Sequence, residues 1–171
     1  MVLKKTRNIF LIVLLLVVSL TAFACEDSTQ LRCATITEIT AAGSENYGVR
    51  ISFLQDKRLQ DKYVDVQVKF NKTGEITFWE ENQEKMEFII EDFDEWYSIE
   101  YLKAKATSTE GSEKFEKFEK ALARTYLFNY DGKIELTFRV VAGDIEDNSE
   151  ETGEILVGSE PISKQFTLKI K

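Results

Sequence analysis

Apolar and polar residues alternate one by one along two stretches of this chain, and this alternation limits the folds that the chain can adopt. Val64–Phe70 and Ile134–Ala142 carry an apolar residue at every second position. Side chains of a β-strand point alternately to its two faces, so a period of two predicts strands with one buried face. The turn-forming sequence Asn71-Lys72-Thr73-Gly74 follows the first stretch and predicts a hairpin over Tyr63–Trp79. Together these features predict an all-β fold, a single antiparallel β-sandwich of about seven to nine strands.

One stretch departs from this rhythm. Phe115, Phe118 and Leu122 recur at helical spacing among Glu and Lys residues. This spacing predicts one short surface helix near 112–123, in a crossover between strands. Tyr97–Tyr101, by contrast, alternates in the same way as the other strands and is predicted to be extended.

The first 24 residues contain the three parts of a secretory signal. Three basic residues within Lys4–Arg7 precede the uncharged run Ile9–Ala24, which ends in Ala22-Phe23-Ala24. A basic start, an apolar core and a small-residue exit predict an exported protein from which residues 1–24 are removed. The alternative is an uncleaved anchor, although the run is shorter than the ~20 residues that a membrane-spanning helix needs. We therefore expect an extracytoplasmic protein, either secreted or tethered to the outer face of the cell membrane.

The two cysteines leave two arrangements open. Leu20–Cys25 resembles the lipobox of prokaryotic lipoproteins, and this resemblance implies that Cys25 becomes lipidated. The polar residues 25–32 would then form a tether in front of a β-domain at 33–171, and the protein would meet the membrane only through its signal or lipid anchor. Without lipidation, an extracytoplasmic location permits a disulfide between Cys25 and Cys33.

Acidic residues outnumber basic residues in this chain. The whole sequence has 22 basic and 30 acidic residues and a net charge of −8. Residues 1–24 contain three basic residues and no acidic ones, so without them 19 basic residues face 30 acidic ones and the net charge is −11. A surface of this sign repels nucleic acid, and no nucleic-acid partner is expected. The expected partner is a protein or glycan at the cell surface.

Two segments near the end of the chain resemble a known class of domain. Phe138–Gly143 and Ser159–Ser163 are similar to the final two strands of fibronectin type III and related immunoglobulin-like modules. This resemblance covers about the last quarter of the chain and implies an immunoglobulin-like or fibronectin III-like sandwich. It supplies no catalytic residue, because such modules are mostly scaffolds and binders.

The residue types present restrict the chemistry of the chain. There is no histidine, which excludes Ser-His-Asp and Cys-His catalysis and any histidine-ligated metal. Paired carboxylates are the remaining route to hydrolysis of a glycoside. The candidates lie in charged turns, where we expect a solvated surface: Glu80, Glu81, Asp92, Asp94 and Glu95. We therefore predict a non-enzymatic binding or structural module of the cell envelope, without catalytic residues or a cofactor.

Aromatic residues suggest an alternative function, the binding of carbohydrate. Trp79 and Trp96 fall on the less apolar face of their segments, so they are the candidates for stacking against a sugar. Tyr97 and Tyr101 share a face with Ile99 and are expected to lie in the core.

A calcium-stiffened adhesion module is a further alternative. The stretch Gly143–Gly153 is predicted to be a long acidic loop, and oxygen-rich loops of this kind suit Ca²⁺. The candidate ligands are Asp144, Glu146, Asn148 and Glu150. The competing interpretation of the same stretch is a hydrated loop without metal.

Asn71-Lys72-Thr73 is also an N-glycosylation sequon at a predicted turn. Modification of Asn71 is expected only in a host that glycosylates exported asparagines.

Overall fold

The computed structural model of this protein describes residues 33–40, 47–54, 56–107, 115–118, 123–148 and 153–171. The chain divides into two units, Met1–Gln30 and Leu31–Lys171, and all described residues belong to the second unit. The predicted signal segment 1–24 and the predicted tether 25–32, which includes Cys25, lie outside the described residues. No helix in the described part of the chain is long and apolar enough to span a membrane.

Strands account for most of the described residues. In chain order they are β1 Ala34–Thr40, β2 Tyr47–Phe53, β3 Tyr63–Phe70, β4 Gly74–Glu80, β5 Met86–Ile90, β6 Trp96–Ser98, β7 Glu116–Lys117, β8 Ala123–Asn129, β9 Ile134–Asn148, β10 Gly153–Pro161 and β11 Phe166–Ile170. The helix α1 spans Ile99–Ala106, and a short 3-10 helix spans Lys57–Leu59.

The strands form two antiparallel sheets. The five-stranded sheet has the order β1-β2-β8-β4-β5. In the six-stranded sheet, β9 and β3 pair along the centre, β10 and β11 both pair with β9, and β6 and β7 both pair with β3. The predicted antiparallel sandwich is confirmed. The described strands exceed the predicted seven to nine because β6 and β7 share one edge of β3, and β10 and β11 share one edge of β9.

The core lies between the two sheets. The alternating apolar residues of β3 and β9 point into it, as do those of β2, β4 and β8. Phe128 of the five-stranded sheet and Phe138 of the six-stranded sheet are fully buried, and their ring centroids lie 5.4 Å apart. Each large side chain buried in this way stabilises the fold by about 1.5–3 kcal/mol, so the contact between sheets is the main source of stability.

The directions of the strands show which connections lie at each end of the sandwich. At the N-terminal end, the Cys33 amide donates to the carbonyl of Ile162 at 3.0 Å. The far end carries the connections 71–73, 91–95 and 130–133. Two of these connections touch each other, since the Tyr130 hydroxyl donates to the Thr73 carbonyl at 3.3 Å. The chain therefore enters the sandwich at the end opposite these three loops.

The single described helix does not lie where the sequence predicted it. Glu116 and Lys117 form β7 and pair with β3, while residues 112–114 and 119–122 of the predicted region lie outside the described residues. The helix α1 occupies part of the segment predicted as a strand. Its N-cap is Ser98, whose side chain accepts a hydrogen bond from the Tyr101 amide. Ile99 and Leu102, one helical turn apart, are buried in the core. A helix places Ile99 and Leu102 on the same side, and burial of this pair decided the local structure although the alternation of apolar residues favoured a strand.

The predicted hairpin over Tyr63–Trp79 is also absent. β3 and β4 belong to different sheets, so the turn at Asn71 carries the chain from one sheet to the other. The Asn71 amide donates to the Glu135 carbonyl at 3.2 Å, and the Asn71 Oδ1 accepts from the Glu135 amide at 2.9 Å. Asn71 therefore continues the pairing with β9 rather than closing a hairpin with β4.

The predicted acidic loop 143–153 is largely a continuation of the sheet. β9 runs on to Asn148 and pairs with Gly153–Val157 of β10, so these residues form an arm that extends beyond the last pairing of β9 with β3. A register shift between Val157 and Glu160 interrupts the arm at its base. Pro161 ends β10, where a missing N–H donor is tolerated on an edge strand.

Candidate functional site: the Trp96 cluster

A group of polar and aromatic residues covers the outer face of the six-stranded sheet. We call it the Trp96 cluster, and its members are Asp65, Gln67, Lys69, Trp96, Ser98 and Arg139. The alternation of β3 turns its polar residues away from the core, and the register aligns them with neighbours on both sides. Gln67 lies opposite Arg139 on β9 and Ser98 on β6, and Lys69 lies opposite Trp96.

Asp65 is a buried carboxyl group at the base of this cluster. Its exposed fraction is 3%, and it accepts hydrogen bonds from Ser98 Oγ at 2.7 Å and Gln67 Nε2 at 2.9 Å. Burial raises the pKa of Asp65 from 3.8 to about 6, and the two hydrogen bonds oppose the rise. Glu100 raises the pKa further, whereas the charge of Arg139 lowers it. Asp65 thus joins Ser98, the N-cap of α1, to Gln67 on the outer face of the sheet.

Arg139 reaches across β3 to lie on Trp96. Its guanidinium carbon is 4.0 Å from the Trp96 ring centroid, and its Nε donates to Gln67 Oε1 at 2.8 Å. A cation over an aromatic face at this distance is attracted by the ring quadrupole. Burial lowers the pKa of Arg139, while the carboxylate of Asp65 opposes that shift. One face of the Trp96 ring, on which a sugar could otherwise stack, is therefore covered by a guanidinium group.

Lys69 adds a second cation to the cluster. Its Nζ lies 5.5 Å from the Trp96 ring centroid and 3.8 Å from Asp94 Oδ1. Asp94 belongs to the far-end loop 91–95 and is 68% exposed in its side chain. Phe93, in the same loop, is 57% exposed, which is unusual for a large apolar side chain. The ion pair of Lys69 with Asp94 thus connects the cluster to the loop that carries the exposed Phe93.

Trp79, the other predicted carbohydrate ligand, lies on a different sheet. It occupies β4, pairs with Leu127 and has an exposed fraction of 8%. Lys85 Nζ lies 4.7 Å from its ring centroid. Because Trp79 and Trp96 belong to separate sheets, they do not form one stacking surface. A ligand role for either residue stays a prediction, whereas Tyr97 packs against Phe70 as expected for a core residue.

The candidate calcium ligands lie on or next to the arm. Asp144, Glu146 and Asn148 belong to β9, and Glu150 lies outside the described residues. Both carboxylate oxygens of Asp144 accept hydrogen bonds from Lys62 Nζ, at 2.9 and 2.7 Å. In the part of the chain that the structure describes, no three Asp, Glu or Cys side chains come together as a metal site. Calcium binding here stays a prediction of the sequence.

Of the five carboxylates considered for glycoside hydrolysis, one belongs to an ion-pair network and the other four are exposed. Glu80 pairs with Lys103 of α1 at 2.8 Å, and Lys103 also contacts Glu100 at 3.0 Å. Burial alone lowers the pKa of Lys103, but its contacts with Glu80 and Glu100 outweigh this effect, and the net pKa is raised. Glu80 thus helps to fix α1 against the five-stranded sheet. The remaining predicted carboxylates are exposed: Glu81, Asp92, Asp94 and Glu95.

Of the three predicted modification sites, Asn71 and Cys33 are among the described residues and Cys25 is not. Asn71 is exposed at the far end, where its side-chain oxygen is bound to the backbone of Glu135. Cys33 has an exposed fraction of 2%, and its Sγ donates to Asp56 Oδ2 at 3.4 Å. Lipidation of Cys25 and the alternative disulfide with Cys33 stay predictions, since Cys25 is outside the described ranges.

Sequence reasoning identified Trp96 but missed the residues that surround it. Arg139 and Gln67 are polar positions inside alternating strands, and the alternation alone places them on an outer face. Only the pairing of β3 with both β9 and β6 brings them to Trp96. No protein-family model, curated protein or solved structure matches this chain.

Proposed function

We propose that this protein is a non-enzymatic binding module of the cell envelope, exported and tethered through its N-terminal segment, with an immunoglobulin-like sandwich. Its binding surface is the Trp96 cluster together with the neighbouring far-end loops. The observation that carries the proposal is the order of the strands in the two sheets.

In constant-type immunoglobulin domains, strands A, B, E and D form one sheet and strands C, F and G form the other. The present chain follows the same order. Strands β1, β2, β8 and β4 are neighbours in one sheet, as A, B, E and D are. In the other sheet β3 and β9 correspond to C and F, and β10 and β11 share the position of G. Between D and E the chain has an insertion that consists of β5, β6, α1 and β7. This agreement supports an immunoglobulin-like module, a class in which binding is commoner than catalysis.

The two ends of the sandwich suit a tethered binder. The chain enters at Cys33, so an anchor at Cys25 would hold the N-terminal end toward the membrane. The far-end loops and Phe93 would then point away from the membrane, and Trp96 begins β6 at that same end. Surface binding modules commonly carry their contact residues on loops held by a rigid scaffold.

The first test is the intact mass of the protein from the membrane and soluble fractions of a prokaryotic secreting host. The proposal predicts a membrane-bound chain that starts at Cys25 and carries added acyl mass. The variant Cys25→Ser is the control and is expected to lose both the acyl mass and the membrane association. An unmodified soluble chain two hydrogens lighter than its reduced form would show a Cys25–Cys33 disulfide and refute the tether. Retention of residues 1–24 would refute cleavage.

A further inference from the structure

The guanidinium group of Arg139 is held in place by contacts that leave its two Nη atoms open. Nε donates to Gln67, and the planar group lies on Trp96. Among the described residues, no acceptor is hydrogen-bonded to either Nη atom. Arg139 is half-buried, and no fully buried side-chain nitrogen in the described ranges lacks a partner, so the two Nη atoms are not completely enclosed. Two parallel N–H donors are thus fixed in position without being used.

The orientation of Arg139 depends on Asp65 through Gln67. Asp65 is ionised above its pKa of about 6 and can then only accept hydrogen bonds. The amide nitrogen of Gln67 therefore faces Asp65 at 2.9 Å, and the amide oxygen is left to accept from Arg139 at 2.8 Å. This chain of two hydrogen bonds fixes the direction of the guanidinium plane before any ligand arrives.

Lys69 places a second positive charge beside the first. Both cations lie over the same Trp96 ring, the guanidinium at 4.0 Å and the Lys69 amine at 5.5 Å from its centroid. The nearest acid to Lys69, Asp94, is 3.8 Å away and mostly exposed, so a stronger acceptor can displace it. A planar anion with two oxygens matches a guanidinium fork and can accept from both Nη atoms at once.

We propose that Arg139, assisted by Lys69, binds a carboxylate side chain on an acidic segment of a partner protein. This inference rests on the proposed function, because it names the ligand class of that same surface. Fixing an arginine in advance reduces the side-chain entropy that binding would otherwise cost. A stacked arginine is also a common central residue of protein interfaces.

Two observations favour a protein over a glycan. The guanidinium occupies a face of Trp96, and a sugar ring needs such a face for stacking. The loop whose Asp94 pairs with Lys69 also carries the exposed Phe93, and an apolar side chain in that loop suits a segment of mixed acidic and apolar residues.

The test is fluorescence anisotropy at low ionic strength with the full-length mature protein. The probe is a fluorescein-labelled peptide of alternating Glu and Leu, compared with the same peptide carrying Gln in place of Glu. Oligogalacturonate provides the anionic-glycan arm. Arg139→Lys retains the positive charge but lacks the two parallel N–H donors of the guanidinium group. We expect it to weaken peptide binding at least about tenfold. The matched control is Lys169→Gln, which removes an exposed cation on the same outer face that pairs with Glu135 at 2.7 Å. We expect this control to change the affinity by less than about twofold.

The expected outcome is binding of the Glu peptide alone, with Arg139→Lys defective and Lys169→Gln unaffected. If Arg139→Lys bound the Glu peptide as tightly as the wild type does, the proposed bidentate contact would be refuted. If Arg139→Lys and Lys169→Gln lost the same affinity, the binding would be non-specific charge attraction, and the proposed site would be refuted as well. Binding of oligogalacturonate without the peptide would overturn the protein ligand. If the Arg139 variant does not fold, the Trp96 indole N–H in the NMR spectrum of the wild type provides a second readout. This signal must shift on titration with the Glu peptide, and an unchanged signal would refute the site. None of these outcomes alters the mass of the mature protein, so the tether is judged separately.

Discussion

Asp65 makes the stability of this protein depend on pH in a way that one substitution can isolate. The carboxyl group is 3% exposed, and burial raises its pKa from 3.8 to about 6. Because the folded-state pKa is raised, the stabilising contribution is fully present below pH 3.8 and is lost as the pH rises through about 6. This difference in pKa corresponds to about 3 kcal/mol in total, of which about 2 kcal/mol is lost between pH 4.5 and pH 7.5.

The variant Asp65→Asn tests this reasoning because asparagine has nearly the same shape and does not titrate. Its side-chain oxygen can accept from Gln67 while its nitrogen donates to Ser98 Oγ. Urea unfolding at pH 4.5 and pH 7.5 gives the free energy of unfolding for the wild type and the variant. We expect the variant to gain about 2 kcal/mol relative to the wild type between these two pH values. The exposed residue Glu87 supplies the control, and Glu87→Gln should differ from the wild type by a constant amount. A constant difference for Asp65→Asn as well would refute the argument.

Three further predictions, two on packing and one on an ion pair, are checked by urea unfolding at neutral pH. Phe128→Ala should lower the free energy of unfolding by about 3–5 kcal/mol, because the ring is fully buried between the sheets; a loss below about 1 kcal/mol would contradict that packing. Gly143→Ala should cost about 1–3 kcal/mol, since an added Cβ would lie 2.6 Å from a backbone carbonyl oxygen of β10, and a neutral result would mean that the base of the arm adjusts freely. Lys103→Met should lower the free energy of unfolding by about 1–3 kcal/mol, because it leaves the Glu80 side chain, which is only 19% exposed, without its partner. Adding Glu80→Gln to this variant should recover part of the loss.

The candidate site could be predicted only in part, and its residues show why. Trp96 was found because an aromatic residue on the polar side of an apolar pattern stands out in a local window. Arg139 gave no such signal, since it is one of several polar residues that alternate along β9. Its contact with Trp96 exists because β3 pairs with β9 on one side and β6 on the other. Pairing partners are distant in the chain, and the period of two does not identify them.

The class of fold follows from the sequence alone, because alternation at every second residue makes each strand amphipathic and two such layers must cover each other's apolar faces. The sequence did not determine how the strands pair. The turn at Asn71 has hairpin chemistry, yet it connects two sheets because β3 is already paired with β9 on one edge and with β6 on the other. The helix at Ile99–Ala106 formed where local alternation favoured a strand, because burying Ile99 and Leu102 on one side of a helix fills the core between the sheets. Local patterns fix which face of a segment is buried, and only the packing of the whole chain decides which neighbour buries it.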